Sequence, residues 1–183
     1  MRCLILGGAR SGKSSFGEAL IADLASSDQV PVRYIATSPH RPNDEEWADR
    51  IRRHRATRPH HWSTVETLDV ADELRTSPHT PTIVDDLGTW LAAEMDVSGA
   101  WDGHRAELVG RLDDLVSSVK NFTSPLVIVT PEVGLGIVPD TRAGRMFRDD
   151  IGVLNARIAE VCEKVVLVVA GISLPLKQVP PLR

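Results

Sequence analysis

The 183-residue chain is 42% hydrophobic and 25% charged, a balance typical of a single soluble globular domain. Its formal net charge of −4 gives no general attraction to nucleic acid or to an anionic membrane, so any phosphate-binding site has to be local. No apolar stretch approaches the ~20 residues that cross a bilayer, and we expect no integral membrane segment.

Apolar runs alternate with helical patterns along the chain. The predicted strands are 3–6, 32–36, 62–66, 82–85, 126–130 and 165–169. The predicted helices are 14–25, 43–58, 70–74, 87–95, 101–119 and 142–163. Continuous Val/Ile/Leu strands are buried on both faces, so the pattern predicts an α/β fold with three layers, a mostly parallel central sheet flanked by helices. Pro175, Pro180 and Pro181 predict an irregular tail.

A glycine-rich loop joins the first strand to the first helix. It fits the pattern G-x-x-x-x-G-K-[ST] with Gly7, Gly8, Ala9, Arg10, Ser11, Gly12, Lys13 and Ser14. Successive backbone N–H groups of such a loop, together with the helix N-terminus, bind phosphate. Lys13 would neutralise the β- and γ-phosphates, and the Ser14 hydroxyl would bind Mg²⁺. The loop predicts one P-loop NTPase-like domain over residues 1–183.

A second acidic element should complete the magnesium site. The strand 82–85 ends in Asp85, and Asp86 follows it. Parallel strands present their carboxyl ends at one edge of the sheet, where the loop Gly7–Ser14 also lies. Either acid could instead cap the helix that begins at residue 87. We assign Asp85 to Mg²⁺ and Asp86 to the cap.

Residues 39–61 form a His/Arg-rich excursion from the sheet. Five arginines and three histidines lie between residues 50 and 61, without cysteines or a metal-ligand spacing. A basic, solvated helix face accounts for this composition. A functional alternative is that His54 is a nucleophile which attacks an α-phosphorus, with nearby arginines offsetting the phosphate charge. Spacing alone does not decide between the two.

Several motifs together carry a resemblance to a known family. Besides the loop, they are Tyr34-Ile35-Ala36-Thr37, Arg50-Ile51, His54, Arg58-Pro59, Trp62, Glu66, Val84-Asp85, Glu132 to Pro139, Arg145-x-Phe147-Arg148-Asp149, Asn155 and Ala170-Gly171. From Leu4 to Lys177 the chain resembles the bifunctional adenosylcobinamide kinase / adenosylcobinamide-phosphate guanylyltransferases of cobalamin biosynthesis.

The resemblance implies two reactions on a corrinoid substrate. Adenosylcobinamide would be phosphorylated with ATP or GTP, and GMP would then pass from GTP through a guanylyl-histidine to give GDP-adenosylcobinamide. His54 and Lys13 would be catalytic, and Mg²⁺ would lie on Ser14 and Asp85. Further nucleotide contacts are implied for Ile35, Ala36, Thr37, Arg55, Ala56, Thr57, Arg58, Glu66 and Asp85. A homotrimer is also implied.

Four positions depart from the family pattern. Asp86 stands where Cys is common, Glu94 where Asn is usual, Pro131 where Asn precedes Glu-Val-Gly, and Arg53 where some relatives have a second histidine. None of these positions is Lys13, Ser14, His54 or Asp85. The departures therefore concern the corrinoid side of the site more than the chemistry. Glu132 is expected to line the corrinoid cleft.

The cellular location follows from two sequence features. Cys3 and Cys162 lie in apolar runs, as buried thiols in a reducing cytosol do. No N-terminal segment pairs a basic region with a cleavable apolar stretch, so a cytoplasmic enzyme is expected.

Two other functions use the same loop: a P-loop regulatory or assembly ATPase without covalent catalysis, and a guanylyltransferase lacking the kinase step.

Overall fold

The computed structural model describes residues 1–25, 30–37 and 58–178. The strands are β1 Arg2–Gly7, β2 Arg33–Ala36, β3 Ser63–Glu66, β4 Thr82–Asp85, β5 Leu126–Pro131, β6 Lys164–Val169 and β7 Ile172–Gln178. The helices are α1 Lys13–Leu24, α2 Val70–Thr76, α3 Leu87–Val97, α4 Arg105–Asn121 and α5 Arg142–Val161, with a 3-10 turn at Ala100–Asp102. The predicted helix 43–58 lies almost wholly outside the described residues.

The strands form one sheet in the order β3-β2-β4-β5-β1-β6-β7. All neighbouring pairs are parallel except β6 with β7. Crossovers that carry helices separate most of the parallel strands along the chain, as such pairing requires. The predicted three-layer α/β fold with a mostly parallel sheet is therefore confirmed.

Helices cover both faces of the sheet because successive strand residues point to opposite sides. Leu4 and Leu6 of β1 pack in the cluster that includes residues of α2, α3, α4 and α5. Cys3 and Ile5 pack in the other cluster, which includes residues of α1. Trp90 is 2% exposed and belongs to the first cluster.

Helix α1 lies very close to the middle of the sheet at Gly17. A Cβ added at Gly17 would be 3.1 Å from Val129 Cγ2, 3.2 Å from Ile83 Cδ1 and 3.3 Å from Ile5 Cδ1. These atoms belong to β5, β4 and β1. The missing side chain lets α1 approach three neighbouring strands, and this approach sets the height of its N-terminus above the sheet edge.

The expected irregular tail is wrong for residues 172–178, while Pro180 and Pro181 lie outside the described residues. Residues Ile172–Gln178 form β7, which pairs antiparallel with β6 and closes one edge of the sheet. Pro175 is tolerated because an edge strand has one row of N–H groups with no ladder partner, and the register shifts between Val165 and Val166, beside it. The connecting turn has Ala170 at φ 52° and Gly171 at φ 77°, the left-handed pair that suits a two-residue hairpin.

The predicted helix 101–119 begins later than expected. Trp101 belongs to the 3-10 turn, which Gly103 ends with φ 103°, a value that glycine adopts without strain. Helix α4 then starts at Arg105. Within the described ranges, no helix has both the length and the apolar character needed to span a bilayer.

Both cysteines are free and buried, as predicted. Burial raises the pKa of the Cys3 thiol to about 11 and that of Cys162 to about 12. Thiols with such pKa values hold little thiolate near neutral pH, so neither side chain is a reactive nucleophile.

Candidate nucleotide-binding site

The carboxyl ends of six parallel strands meet at one edge of the sheet. Gly7 of β1 pairs with Pro131 of β5 and with Val168 of β6. On the other side of β5, Asp85 of β4 pairs with Ala36 of β2. The loop Gly7–Ser14 and the acid at the end of β4 therefore lie at the same edge, as the sequence predicted.

The loop Gly7–Ser14 has the tight turn that its glycines allow. Arg10 has φ 54° and Gly12 has φ 93°, both in the left-handed region. The Ser11 N–H donates to the Gly8 carbonyl at 3.3 Å, and the Phe16 N–H donates to the Gly12 carbonyl at 2.9 Å to open α1. A Cβ at Gly7 would lie 2.4 Å from Ser11 Oγ, so only glycine fits there.

Two polar side chains of the loop fit an anion. Lys13 is only 9% exposed and begins α1, where the helix dipole adds to its charge. Ser11 Oγ is buried and has no hydrogen-bond partner within the described residues. Buried polar atoms are normally paired, so an orphaned hydroxyl beside a lysine indicates that a ligand completes the loop.

The turn between β6 and β7 supports the loop from behind. The Gly171 N–H donates to the Ser11 carbonyl at 2.8 Å. A Cβ at Gly12 would lie 3.3 Å from Gly171 Cα, so the two glycines pack backbone against backbone. The Ala170-Gly171 motif carried no assigned role in the sequence, because β7 itself was not predicted.

Ser14 and Asp85 lie where a shared magnesium ion would need them. The Ser14 hydroxyl donates to Asp85 Oδ1 at 3.3 Å. A hydroxyl and a carboxylate oxygen at this separation are the hard oxygen donors that Mg²⁺ prefers, so the pair fits the ion. The assignment of both residues to metal stays a prediction.

The Asp85 carboxylate has a second hydrogen-bond partner. Tyr34 Oη donates to Asp85 Oδ2 at 2.5 Å. Burial is the largest influence and raises the pKa of Asp85, while the hydrogen bonds from Tyr34 and Ser14 act in the opposite direction.

Asp86 caps α3, as predicted. Its Oδ1 accepts hydrogen bonds from the Thr89 N–H at 2.8 Å and from the Thr89 hydroxyl at 2.9 Å. Capping bonds of this kind stabilise a helix by about 1 kcal/mol. Thr37 is fully buried and donates its hydroxyl to the Asp86 carbonyl at 2.7 Å, while its N–H donates to the Asp85 carbonyl at 3.2 Å. Thr37 thus fixes the backbone beside the Asp85 carboxylate, and its nucleotide contact stays a prediction.

Two other implied nucleotide contacts, Ala36 and Glu66, lie along the same edge. Glu66 is exposed at the end of β3 and pairs in register with Ala36, which in turn pairs with Asp85. The Ile35 side chain is fully buried in the core, and its nucleotide contact stays a prediction. The remaining predicted residues, His54, Arg55, Ala56 and Thr57, lie outside the described residues.

Arg58 is tied to the body of the domain. Its guanidinium carbon lies 3.3 Å from the centre of the Tyr34 ring, and its Nε lies 3.5 Å from Glu18 Oε1. It also donates to Thr64 Oγ1 at 3.3 Å. Arg58 is thus a cation stacked on an aromatic ring at the end of the excursion, and its nucleotide contact stays a prediction.

The loop after β5 is held against the site by side-chain hydrogen bonds. The Glu132 N–H donates to the Gly7 carbonyl at 3.1 Å, and Glu132 Oε1 accepts from the Gly134 N–H at 2.6 Å. Arg148 donates to the Gly134 carbonyl at 2.8 Å, and Arg145 donates to the Pro139 carbonyl at 2.9 Å. Both arginines therefore anchor this loop.

Two departures from the family pattern have structural partners. The Glu94 carboxylate is buried and accepts two hydrogen bonds from Arg111, at 2.9 and 2.7 Å. The Pro131 carbonyl accepts from Asn155 Nδ2 at 3.1 Å. The ring of Pro131 packs on Gly88, where an added Cβ would lie 2.5 Å from Pro131 Cγ.

Comparisons with known proteins agree with this geometry. The family model "CobU: Cobinamide kinase / cobinamide phosphate guanyltransferase" matches residues 3–176. The Escherichia coli (strain K12) bifunctional adenosylcobalamin biosynthesis protein CobU is 38% identical over 97% of this chain and 100% of its own. CobU of Salmonella typhimurium is 39% identical over 97% and 100%. CobP of Pseudomonas aeruginosa is 40% identical over 98% and 99%. The chain therefore belongs to the cobinamide kinase / cobinamide phosphate guanyltransferase family.

Proposed function

We propose that this protein performs both reactions of its family at one nucleotide site. It phosphorylates adenosylcobinamide with ATP or GTP and then transfers GMP from GTP to the product, giving GDP-adenosylcobinamide. The observation that carries the proposal is the loop Gly7–Ser14 with Ser14 Oγ 3.3 Å from Asp85 Oδ1, at the edge where β1 and β4 end.

The kinase step needs charge neutralisation and alignment. The acceptor hydroxyl oxygen attacks the γ-phosphorus, the bond from that phosphorus to the β-phosphate oxygen breaks, and the hydroxyl proton is released. Lys13 and the backbone N–H groups of the loop hold the charge that spreads over the phosphate oxygens. Ser14 and Asp85 would hold Mg²⁺, which supplies a positive charge shared between the β- and γ-phosphates.

The transfer step is assigned to His54, on the resemblance. A neutral imidazole nitrogen attacks the α-phosphorus of GTP, and the bond to the pyrophosphate oxygen breaks. The phosphate of adenosylcobinamide phosphate then attacks the same phosphorus, and the phosphorus–nitrogen bond breaks. Protonation removes the attacking lone pair, so adduct formation should fall as pH drops below the ordinary histidine pKa of about 6.5.

The experiment incubates purified protein with adenosylcobinamide, Mg²⁺ and GTP and measures the phosphate and GDP products. Separately, α-labelled GTP should label the wild-type protein and not His54→Asn. Lys13→Ala should lose both activities because both need the triphosphate seated. Equal labelling of wild type and His54→Asn would remove His54 from the mechanism, and full transferase activity in Lys13→Ala would contradict a shared site.

The same measurements separate the two other functions. A regulatory or assembly ATPase would hydrolyse ATP without a covalent adduct and without a guanine preference. A guanylyltransferase without kinase activity would give the GDP product from adenosylcobinamide phosphate and none from adenosylcobinamide. The family description names both a kinase and a guanyltransferase activity, and its Escherichia coli member is called bifunctional, which favours the bifunctional enzyme.

The corrinoid side of the site is assigned to the loop 132–141. Leu135 is 84% exposed and Ile137 is 96% exposed. The loop that carries them starts beside the phosphate-binding loop, because the Glu132 N–H donates to the Gly7 carbonyl. Apolar side chains that stand in water beside a phosphate site fit a substrate with a large organic ring. Leu135→Ser and Ile137→Ser should raise the KM for adenosylcobinamide and leave that for GTP unchanged. Val97→Ser, at the far end of α3, is the control and should change neither.

Assembly and location complete the proposal. A homotrimer should show a mass of about three times the 20.0 kDa chain in light scattering. A cytoplasmic enzyme should appear in the cytosolic fraction of its own cells. A monomeric mass would contradict the trimer and leave the chemistry of the single chain to be tested independently.

A further inference from the structure

Tyr34 contacts two parts of the site that otherwise lie apart. It is 2% exposed in β2, beside β4 in the sheet. Its hydroxyl donates to Asp85 Oδ2 at 2.5 Å, and its ring face lies 3.3 Å from the Arg58 guanidinium carbon. Residue 34 was part of a sequence motif without an assigned role.

The hydroxyl fixes the orientation of the Asp85 carboxylate. Ser14 occupies Oδ1 and Tyr34 occupies Oδ2, so each carboxylate oxygen has a defined partner. A carboxylate can turn about its last side-chain bond, where the preference is broad. The bond from Tyr34 restricts that turn and keeps Oδ1 toward Ser14. Such outer hydrogen bonds to a metal ligand commonly change metal affinity by 10- to 100-fold.

The ring of Tyr34 holds the end of the excursion. The Arg58 side chain is 9% exposed, and it lies between the aromatic face and Glu18. A guanidinium stacked on a ring and shielded from water is held more strongly than an exposed one. Arg58 is four residues after His54 in the chain. The anchor at Arg58 is therefore close in sequence to the residue that the resemblance assigns as nucleophile.

We propose that Tyr34 is a positioning residue for both reactions: its hydroxyl orients the metal-binding carboxylate of Asp85, and its ring seats Arg58 and so the chain that carries His54. The inference rests on the proposed function. Neither contact places Tyr34 on substrate, so it acts through Asp85 and Arg58. One side chain therefore links the magnesium site to the anchor of the nucleophile.

Two substitutions at one position separate the two effects. Tyr34→Phe keeps the ring under Arg58 and removes only the hydroxyl. Titration calorimetry of GTP with and without Mg²⁺ should show about a 10-fold loss of the magnesium-dependent part of GTP affinity, since a hydrogen bond to a charged group is lost. Binding of GTP in excess chelator should stay at the wild-type value. At saturating Mg²⁺, labelling by α-labelled GTP should also stay near wild type.

Tyr34→Leu removes the ring as well. It should show the same loss in magnesium dependence and, in addition, at least a 10-fold slower formation of the labelled adduct at saturating Mg²⁺. Thermal unfolding of both variants shows whether the fold is retained. Tyr34→Phe keeps the aromatic ring and its packing, so it can be measured even if Tyr34→Leu does not fold. The Phe variant alone then decides the carboxylate half of the proposal.

Each outcome decides one half. Wild-type magnesium dependence in Tyr34→Phe would overturn the role of the hydroxyl. Adduct formation in Tyr34→Leu as fast as in Tyr34→Phe would overturn the role of the ring. If wild-type protein forms neither corrinoid product, the proposed function fails, while the calorimetric comparison still reports on Tyr34 and Asp85.

Discussion

The close approach of α1 to the sheet at Gly17 leads to a prediction of unusual sign. Glycine in a helix interior is normally replaced by alanine with a gain of about 1 kcal/mol. At Gly17 the added methyl group would meet three buried side-chain carbons between 3.1 and 3.3 Å away. They belong to three adjacent strands, so no single side chain can move aside and relieve the crowding.

The magnitude follows from two opposing terms. Overpacking a filled core typically costs about 1–3 kcal/mol, which exceeds the gain in helix propensity. Gly17→Ala should therefore lower the free energy of unfolding by about 1 kcal/mol, or the melting temperature by about 2–4 °C for a chain of this size. Because α1 carries Lys13, a helix lifted from the sheet should also weaken GTP binding.

Gly110→Ala is the matched control. Gly110 is exposed in α4, and a Cβ there would have no heavy atom within 4 Å. Gly110→Ala should raise the free energy of unfolding by about 1 kcal/mol, since alanine favours the helix and no atom is crowded. Both variants share the effect of the substitution on the unfolded chain, so their difference reports the crowding at Gly17. Urea unfolding and thermal scans of both proteins measure the difference, and calorimetry measures GTP affinity. Equal stabilisation of both variants would refute the crowding at Gly17.

Three other perturbations test two ion pairs of the fold and the backbone of the loop Gly7–Ser14. Arg111→Met leaves the buried Glu94 carboxylate unpaired and should lower the free energy of unfolding by about 2–3 kcal/mol, while adding Glu94→Leu should restore most of that stability. Urea unfolding of the wild type, the single variant and the double variant measures the coupling between the two residues. A further loss of stability on adding Glu94→Leu would contradict it. Burial raises the pKa of Glu163, but its hydrogen bonds and ion pair with Arg2 outweigh burial and lower that pKa from 4.5 to about 2. The lowered value means that the carboxylate stabilises the fold above pH 4.5 and loses this effect as pH falls toward about 2, so Glu163→Gln should flatten that part of the stability–pH curve. Gly12→Ala forces a side chain into φ 93° and should cost about 1–2 kcal/mol of stability, read by thermal unfolding, and weaken GTP binding; unchanged affinity would contradict the strained loop.

Local patterns made much of the fold predictable. Apolar strands followed by helices, with a glycine loop between the first pair, define the order of layers before any contact is known. The position of Asp85 at the end of β4 and the cap at Asp86 follow from the same reasoning, because parallel strands share one carboxyl edge. These features depend on neighbours in sequence, and sequence shows such neighbours directly.

The features that sequence missed depend on distant partners. Pro175 argues against a strand unless the strand is known to lie at an edge, and only the sheet order shows that. The roles of Tyr34 and Arg148 come from partners on other elements, Asp85 and the Gly134 carbonyl. A tyrosine in an apolar strand has the pattern of a core residue, and only the position of its hydroxyl shows otherwise.

The strand register also sets a length scale for the bound nucleotide. From Glu66 on β3 to Gly7 on β1 there are four strand spacings, and at about 4.8 Å each they span roughly 19 Å. An extended nucleoside triphosphate has a comparable length. A nucleotide with its base at Glu66 and its γ-phosphate at Lys13 would lie across the strand ends, with its α-phosphorus above β2 and β4. The segment that contains His54 follows β2 in the chain, and β2 is one of the two strands over which that α-phosphorus would lie.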